Sequence, residues 1–424
     1  MTAPEAVSDV PSCQWQPLLE NEDRALAEHA ILDIAAALWH PPSGDVSLSG
    51  GVAGIALFFA YLAQGQSGSE ERFVARSVEL IDSAVDAVAS TFHVPAFFSG
   101  FPGIAWAVEH IQRIHPSAFP DDDLNGDIDA ALVSFTQKSP WRADYDLIKG
   151  LVGLGIYALE RPPSENRERL LRNIVERLSE TAVNDERGTA WMTAPLLLPD
   201  WQREMYPNGY FNLGLSHGAP GVIVLLARLV SLGIAADESR AMLVPAVRWM
   251  LSLRVERGDA FPSFVDLDGT PGPGRRAAWC YGNLSVATAL ISAGLLCSDD
   301  EWLHEGISLA QNVTALTIEA FGIHDGGLCH GAAGIAHLFN RMYQATRIEA
   351  FRDASVHAFR HLLSIRVPGL DVAGFPAWDV TEQKWHPVAG LLGGAAGVGL
   401  ALMSAVWPVE PTWDRALLTE LPVG

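Results

Sequence analysis

The hexapeptide Cys329-His330-Gly331-Ala332-Ala333-Gly334 sets two candidate metal ligands directly ahead of a glycine turn, and an apolar helical run follows it. The same order of reactive side chain, glycine and apolar run recurs at Ser216-His217-Gly218 and at Cys280-Tyr281-Gly282. If the turns are equivalent points of a repeated architecture, side chains distant in the sequence meet at one place. Two thiols and an imidazole meeting there predict a zinc site, with a second imidazole beside it.

Small-residue turns of this kind recur seven times along the chain. They span Gly51–Gly54, Gly100–Gly103, Gly150–Gly153, Gly218–Gly221, Gly282–Ser285, Gly331–Gly334 and Gly394–Gly397. The first residues of successive turns lie 49 to 68 residues apart, which suits one supersecondary unit per repeat. A single Gly-x-x-Gly motif indicates only a flexible turn. Seven in order, each ahead of an apolar run, indicate a repeat.

The segments between the turns predict two kinds of helix. Runs such as Ile55–Leu62, after a turn, are apolar on nearly every face, and a helix of this kind is buried on all sides. Amphipathic stretches lie ahead of the turns, at 164–181, 238–254, 301–320 and 348–365. We therefore predict an all-α fold, an α/α toroid whose seven helical hairpins form a double-layered barrel. It is a single domain over residues 1–424, and all inner helices begin at one rim.

Composition and charge narrow the class of protein. The chain has 424 residues, 49% of them hydrophobic, and a formal net charge of −22, which disfavours binding to nucleic acid or to an anionic membrane. The acidic charge either attracts a cationic peptide or simply aids solubility. The apolar run Val388–Trp407 coincides with the seventh turn, so we interpret it as a buried inner helix and expect no membrane span. Four cysteines and no visible secretory signal favour the cytoplasm and a metal role.

Three segments do not fit plain helical hairpins. Residues 184–212 contain three prolines and are predicted to be an inserted extension within the domain. Proline, Asp-Gly pairs and aromatic residues in 259–275 and 375–380 predict short β-hairpins on the rim. We expect these additions to border the mouth of the active site, where they could hold a substrate.

Cys280, Cys329 and His330 are the predicted zinc ligands. A set of three protein ligands leaves one position open for water or substrate, whereas structural zinc sites usually have four protein ligands. Cys13 and Cys297 match no position of the repeat, so we interpret them as small buried hydrophobic residues.

His217 occupies the matching place one repeat before Cys280 and is either a fourth ligand or a general acid/base beside the metal. Asp146, four residues before Gly150, should approach the same rim. Its carboxylate either orients His217 or handles a proton directly, or else it is a helix cap or a solvated acid.

Two further side chains near Cys280 are candidates. Arg276 follows a loop rich in proline and glycine and could stabilise a developing oxyanion, although spacing alone does not choose between it and Arg275. Tyr281 either donates a hydrogen bond into the site or packs against it.

Together these motifs resemble the LanC family of lanthipeptide cyclases. The resemblance spans nearly the whole chain and rests on the segments Leu213–Gly221, Trp279–Gly282, Cys329–Gly334, Gly393–Gly397 and the acidic Tyr145–Gly150. It implies an α/α toroid with one zinc ion on Cys280, Cys329 and His330. It also implies that His217, Asp146, Arg276 and Tyr281 line the site as catalytic or supporting groups. Ser285 and Lys149 depart from the family pattern, and neither is a predicted ligand.

The resemblance also implies a reaction and its partners. A dehydrated precursor peptide with a leader segment would present cysteine thiols to dehydroalanine or dehydrobutyrine, and Michael addition would close (methyl)lanthionine thioether rings. A separate dehydratase would supply the substrate, and an exporter is a further possible partner. The alternative within the family is a zinc protein that binds glutathione or a thiol peptide without cyclising it.

Three unrelated classes fit the sequence less well. The zinc set of a prenyltransferase typically includes a carboxylate, which these three motifs lack. A six-hairpin glycosidase needs paired carboxylates at the rim, where we find only Asp146 well placed. A purely structural zinc protein would have a fourth protein ligand.

Overall fold

Helices account for most of the chain. A computed structural model describes residues 15–42, 44–65, 68–90, 94–119, 123–255, 260–272, 277–379 and 382–423. The helices in these ranges are α1 Asn21–Leu38, α2 Val52–Gly65, α3 Glu70–Ser90, α4 Phe101–Ile114, α5 Gly126–Thr136, α6 Leu151–Glu160, α7 Glu165–Thr181, α8 Asp200–Met205, α9 Ala219–Leu232, α10 Ala236–Ser252, α11 Asn283–Cys297, α12 Asp300–Thr314, α13 Ala332–Thr346, α14 Glu349–Ser364 and α15 Ala395–Val406. The strands are β1 Ala182–Asp185, β2 Gly188–Thr193, β3 Tyr210–Asn212, β4 Phe264–Asp266, β5 Ala377–Asp379 and β6 Lys384–His386.

Seven of these helices form a closed inner ring. Each contacts the next in the order α2, α4, α6, α9, α11, α13 and α15, and α15 contacts α2 to close the circle. An outer layer surrounds them: α3 packs on α2, α7 on α6, α10 on α9, α12 on α11, α14 on α13 and α1 on α15. Helix α5 packs against α7. The predicted toroid of seven helical hairpins is therefore confirmed.

The apolar runs after the turns form the inner helices. In α2 every residue from Val52 to Ala63 is buried, and in α15 every residue is buried. The interpretation of the run ending at Trp407 as a buried inner helix is thus confirmed for Ala395–Val406. Among the described helices, none combines the length and the apolar character that crossing a bilayer requires.

The amphipathic stretches form outer helices, with one correction. In α7 the buried residues recur at steps of three and four, and the Ser164 hydroxyl caps the helix by accepting a hydrogen bond from the Arg167 N–H. In the stretch predicted over 301–320 the α-helix ends at Thr314, and a short 3₁₀ helix follows at Ile318–Phe321. Beyond that point Leu316 is 49% exposed, so the pattern no longer offers a buried face.

A circle of hydrogen bonds links the turns at the rim. Six backbone N–H groups each donate to a backbone carbonyl oxygen of the neighbouring turn, at 2.8 to 3.3 Å. The donors and acceptors are Ser49 to Phe98, Phe98 to Ile148, Leu147 to Ser216, Cys280 to Cys329, Cys329 to Leu392 and Leu392 to Ser49. The remaining link is made by a side chain, since the Ser216 hydroxyl donates to the Cys280 carbonyl at 3.3 Å. These bonds fix all seven turns at one end of the barrel.

The second glycine of a turn lets the chain fold back on itself closely. A Cβ atom on Gly103, Gly334 or Gly397 would lie 1.9 Å from the carbonyl oxygen of the residue six positions earlier. The fifth turn has Ser285 at this position, and its hydroxyl accepts a hydrogen bond from the Leu215 N–H at 2.5 Å. The serine therefore adds a further link between the fourth and fifth turns.

The rim carries two small antiparallel sheets. Strands β1, β2, β3 and β4 form a four-stranded sheet in that order, so β4 joins the sheet built by residues 182–212. The chain after β4 folds back, and Val265 forms a bridge with Pro271, as the predicted short hairpin requires. Strands β5 and β6 pair as a second hairpin, which extends the predicted 375–380 segment. Residues 256–259, 273–276 and 380–381 lie outside the described ranges.

We predict that Gly397→Ala destabilises the fold. Its Cβ would lie 1.9 Å from the Leu391 carbonyl oxygen and 2.8 Å from Leu328 Cδ1, so the seventh turn must shift. The free energy of unfolding should fall by about 1–3 kcal/mol in denaturant titration. Gly393→Ala is the matched control, since a Cβ there meets nothing within 4 Å and the change should stay within about 0.5 kcal/mol. Equal stability of the two variants would contradict this account of the turns.

Candidate metal centre and adjoining acid–base pair

The fifth and sixth turns bring the three predicted ligands together. The ligand atoms of Cys280, Cys329 and His330 all lie within 4.8 Å of one another. The Cys280 N–H donates to the Cys329 carbonyl at 3.3 Å, so a bond between the turns sets the separation of the two cysteines. Cys280 is buried, while Cys329 and His330 are half-buried and open toward the rim. Two thiols and one imidazole in this arrangement suit zinc.

His217 and Asp146 form a pair beside these ligands. His217 Nδ1 donates to Asp146 Oδ2 at 2.6 Å, and Asp146 Oδ1 accepts from the Lys149 N–H at 2.8 Å. Asp146 is buried, and its second hydrogen bond fixes the carboxylate against the third turn. His217 is not among the side chains whose ligand atoms cluster within 4.8 Å. The geometry therefore favours an acid/base role for His217 over a fourth ligand, with Asp146 orienting its ring.

This pairing controls the charge of His217. Burial disfavours the imidazolium, but the hydrogen bond and the negative charge of Asp146 outweigh burial and raise the pKa of His217. Because Asp146 engages Nδ1, Nε2 is the ring nitrogen that can exchange a proton with a substrate.

Tyr281 packs against the same imidazole. Its ring stacks on that of His217 with 6.2 Å between centroids, and its hydroxyl accepts a hydrogen bond from Asn212 Nδ2 at 3.0 Å. Burial raises the pKa of Tyr281, so the phenol stays protonated. Of the two roles considered for Tyr281, the structure shows the packing contact, and Asn212 holds its hydroxyl at the site.

Sequence reasoning missed a second carboxylate next to Asp146. Asp144 lines the same pocket, and burial together with the neighbouring charge of Asp146 raises the pKa of Asp144 to about 7. The expectation that Asp146 is the one well-placed acid at the rim is therefore wrong. Asp144 sits six positions before Gly150, and three of the other six turns have Asp45, Asn212 and Asp325 at the same offset. This recurrence of polar residues was a readable signal.

The extension forms one wall of this pocket. The cavity, about 230 Å³ in volume, is bounded by Thr193 and Tyr210 of the rim sheet and by Pro199 and Gln202. His217 and Tyr281 line the same cavity. Residues of the 184–212 segment therefore line the pocket that contains His217.

Asp325 is a further missed residue, beside the predicted ligand His330. Its Oδ1 accepts from the Gly327 N–H and its Oδ2 from the Trp378 N–H, both at 3.0 Å. Asp325 Oδ2 also lies 3.9 Å from His330 Nε2. The carboxylate therefore joins the sixth turn to strand β5 at the edge of the candidate metal centre.

The structure describes only one of the four remaining candidates. Arg276, Arg275 and Cys13 fall outside the described residues. Cys297 is the last residue of α11, about 21 Å along the helix from the fifth turn, and is half-buried instead of buried. It takes no part in the cysteine and histidine cluster.

Comparison with known proteins agrees with this architecture. Residues 42–418 match the family described as lanthionine synthetase C-like protein. The chain belongs to the lanthionine synthetase C-like family. It is 24% identical to the nisin biosynthesis protein NisC of Lactococcus lactis subsp. lactis over 336 residues, which cover 73% of this chain and 77% of that protein.

Two other similarities are informative. Glutathione S-transferase LANCL1 of Danio rerio is 23% identical over 311 residues, covering 70% of this chain and 69% of that protein. The solved structure of nisin cyclase superposes with a TM-score of 0.72 at 20% identity, covering 94% of this chain and 98% of that one. This structural likeness supports the toroidal fold.

We predict that Asp146→Asn lowers the pKa of His217. The substitution removes the charge that favours the imidazolium, while burial continues to oppose it. The pH dependence of the imidazole NMR signals measures the change. Asp144→Asn is the control and should lower this pKa less, because Asp146 and not Asp144 bonds to the ring. An unchanged pKa in Asp146→Asn would show that the pair does not control the charge of His217.

Proposed function

We propose that this chain is a zinc-dependent lanthionine cyclase. It joins cysteine thiols of a dehydrated precursor peptide to dehydroalanine or dehydrobutyrine residues and so closes thioether rings. The observation that carries the proposal is the set of Cys280, Cys329 and His330 beside the paired His217 and Asp146. Family membership and the similarity to the nisin biosynthesis protein support it.

The donor set fits zinc with a position left for substrate. Cys280 and Cys329 supply soft thiolate ligands and His330 an imidazole, and these ligand atoms form a compact group within 4.8 Å. Three protein ligands leave a fourth position open, as catalytic zinc sites do. When bound, zinc holds a substrate thiol as a thiolate near neutral pH, where a free thiol with a pKa of roughly 8.5 is mostly protonated.

The protein's own groups complete the reaction. The peptide sulfur adds to the β-carbon of the dehydro residue, a carbon–sulfur bond forms, and the electrons of the double bond move to an enolate. His217, kept protonated by Asp146, donates its Nε2 proton to the α-carbon, and Asp146 keeps the ring oriented. The proton that the thiol loses passes to solvent, and His217 regains one from solvent, so the addition is balanced.

Two features are proposed to stabilise the enolate. Inner helices such as α6 and α9 begin at the rim, where their N-termini add partial positive charge. We assign Arg276 the role of holding the enolate oxygen, on the strength of the family resemblance. Tyr281 supports the site by packing on His217.

The family also contains a second candidate function. The similarity to the zebrafish glutathione S-transferase LANCL1 favours a zinc protein that binds glutathione instead of cyclising a peptide. In either case the substrate thiol meets the same three ligands. We further propose a cytoplasmic cyclase supplied by a separate dehydratase, with the product passed to an exporter.

We predict that the wild-type chain accelerates ring closure in a peptide that carries one dehydroalanine and one cysteine. Ring closure is an addition, so the peptide loses its free thiol while its mass stays unchanged. Cys280→Ala should lose bound zinc and ring closure together, because one of three ligands is missing. Cys297→Ala is the matched control and should retain both.

Metal content by atomic emission and thiol alkylation with mass spectrometry give the two measurements. A metal-free Cys280→Ala variant that still closes rings would contradict the proposal. Addition of glutathione to the dehydroalanine, seen as a mass increase without ring closure, would favour the second candidate.

We predict that His217→Asn separates proton transfer from metal binding. The variant should retain zinc, because His217 is not in the ligand cluster, and should cyclise about 10²- to 10⁴-fold more slowly. Zinc content and the single-turnover rate of ring closure are measured on the same preparation. Loss of zinc in this variant would instead make His217 a ligand, and an unchanged rate would remove it from the proton-transfer step.

A further inference from the structure

A second pocket opens on the other side of the candidate metal centre. It has a volume of about 260 Å³, and we call it the hairpin pocket because strand β6 forms part of its wall. Its apolar lining consists of Ile365, Val367, Leu370, Phe375, Pro376 and Trp385. Leu370 is 44% exposed and Trp385 50% exposed, so apolar surface faces solvent at the mouth.

The hairpin pocket adjoins the candidate metal centre. Asp325 belongs to both, since it lines the pocket and its Oδ2 lies 3.9 Å from His330 Nε2. The same carboxylate binds the Trp378 N–H of β5, which fixes the hairpin relative to the sixth turn. An extended peptide advances about 3.3–3.6 Å per residue, so a residue next to a cysteine held at His330 reaches this pocket.

The two sides of the metal centre differ in chemistry. Around the rim, the third and fourth turns carry Asp146 and His217, the fifth and sixth turns carry the ligands, and the β5–β6 hairpin lies ahead of the seventh turn. The pocket around His217 holds Asp144, Asp146 and Lys149, whereas the hairpin pocket is mostly apolar. A peptide crossing the ligands therefore meets a charged side, where protons move, and an apolar side.

We propose that the hairpin pocket takes an apolar side chain of the substrate peptide, from a residue adjacent to the reacting cysteine. This inference rests on the proposed function and adds a preference for cysteines next to large aliphatic or aromatic residues. A cavity of this volume suits a large side chain, whereas a stable interface with a second copy needs roughly 1,200 Å² or more of buried surface. Burial of one large apolar side chain should strengthen binding roughly tenfold or more.

Thiol binding without ring closure tests the pocket separately from catalysis. The full-length chain is loaded with cobalt(II), whose absorption spectrum reports ligation by a peptide thiolate. It is titrated with acetyl-Gly-Cys-Gly-amide and with peptides in which phenylalanine or leucine replaces the glycine before or after the cysteine. At one of these two positions, the apolar residue should tighten binding roughly tenfold.

A charged substitution at the mouth supplies the matched comparison. Leu370→Glu should abolish the preference for apolar neighbours, so that the phenylalanine, leucine and glycine peptides bind with similar affinities. Leu316→Glu is the control, because Leu316 is similarly exposed at 49% but does not line the pocket, and it should behave as the wild type does.

Four results would overturn the inference. Equal affinities of all peptides for the wild type, or a preference that survives in Leu370→Glu, would show that the pocket does not bind the neighbouring side chain. Neither result would contradict the binding of the thiol. A wild-type dimer that Leu370→Glu dissociates in light scattering would assign the pocket to a second copy of the chain. A cobalt spectrum that no peptide changes would instead refute the thiol binding on which the proposed function depends.

Discussion

The hydrogen bonds that join each turn to the next at the rim are the constraint on which the rest of the structure depends. In six of the seven links a backbone N–H donates to a carbonyl of the neighbouring turn, and the donors are Ser49, Phe98, Leu147, Cys280, Cys329 and Leu392. Ser216 supplies the remaining link through its hydroxyl. The circle holds the N-terminal ends of seven buried helices together. Residues separated by well over a hundred positions, such as Asp146 and Cys329, therefore face one small region.

This arrangement divides the site between adjacent turns. The third and fourth turns provide Asp146 and His217, which can hold and deliver a proton, and the fifth and sixth provide the cluster that includes Cys280. Tyr281 belongs to the fifth turn and stacks on His217 of the fourth, so it connects the two parts. Thiol activation and protonation are the two tasks of the proposed cyclisation, and neighbouring turns would perform them side by side.

The sequence predicted the toroid well because its signals are local and repeated. Glycine turns and apolar runs recur in every unit, and the ligands stand beside the turns. The joining of β4 to the sheet of residues 182–212 was not predicted, because strand pairing between distant segments leaves little local pattern. Asp144 and Asp325 share a position with Asp45 and Asn212 in the repeat, which the sequence does show. Their burial and their hydrogen-bond partners come only from the fold.

X-ray absorption at the zinc edge counts the sulfur atoms bound to the metal and so tests the proposed zinc site itself. We expect two sulfur ligands, from Cys280 and Cys329, completed by nitrogen or oxygen atoms. Addition of a cysteine-containing peptide should raise the sulfur count from two to three. A count that stays at two when the peptide is bound would contradict the account, since the reacting thiol would then not occupy the open position.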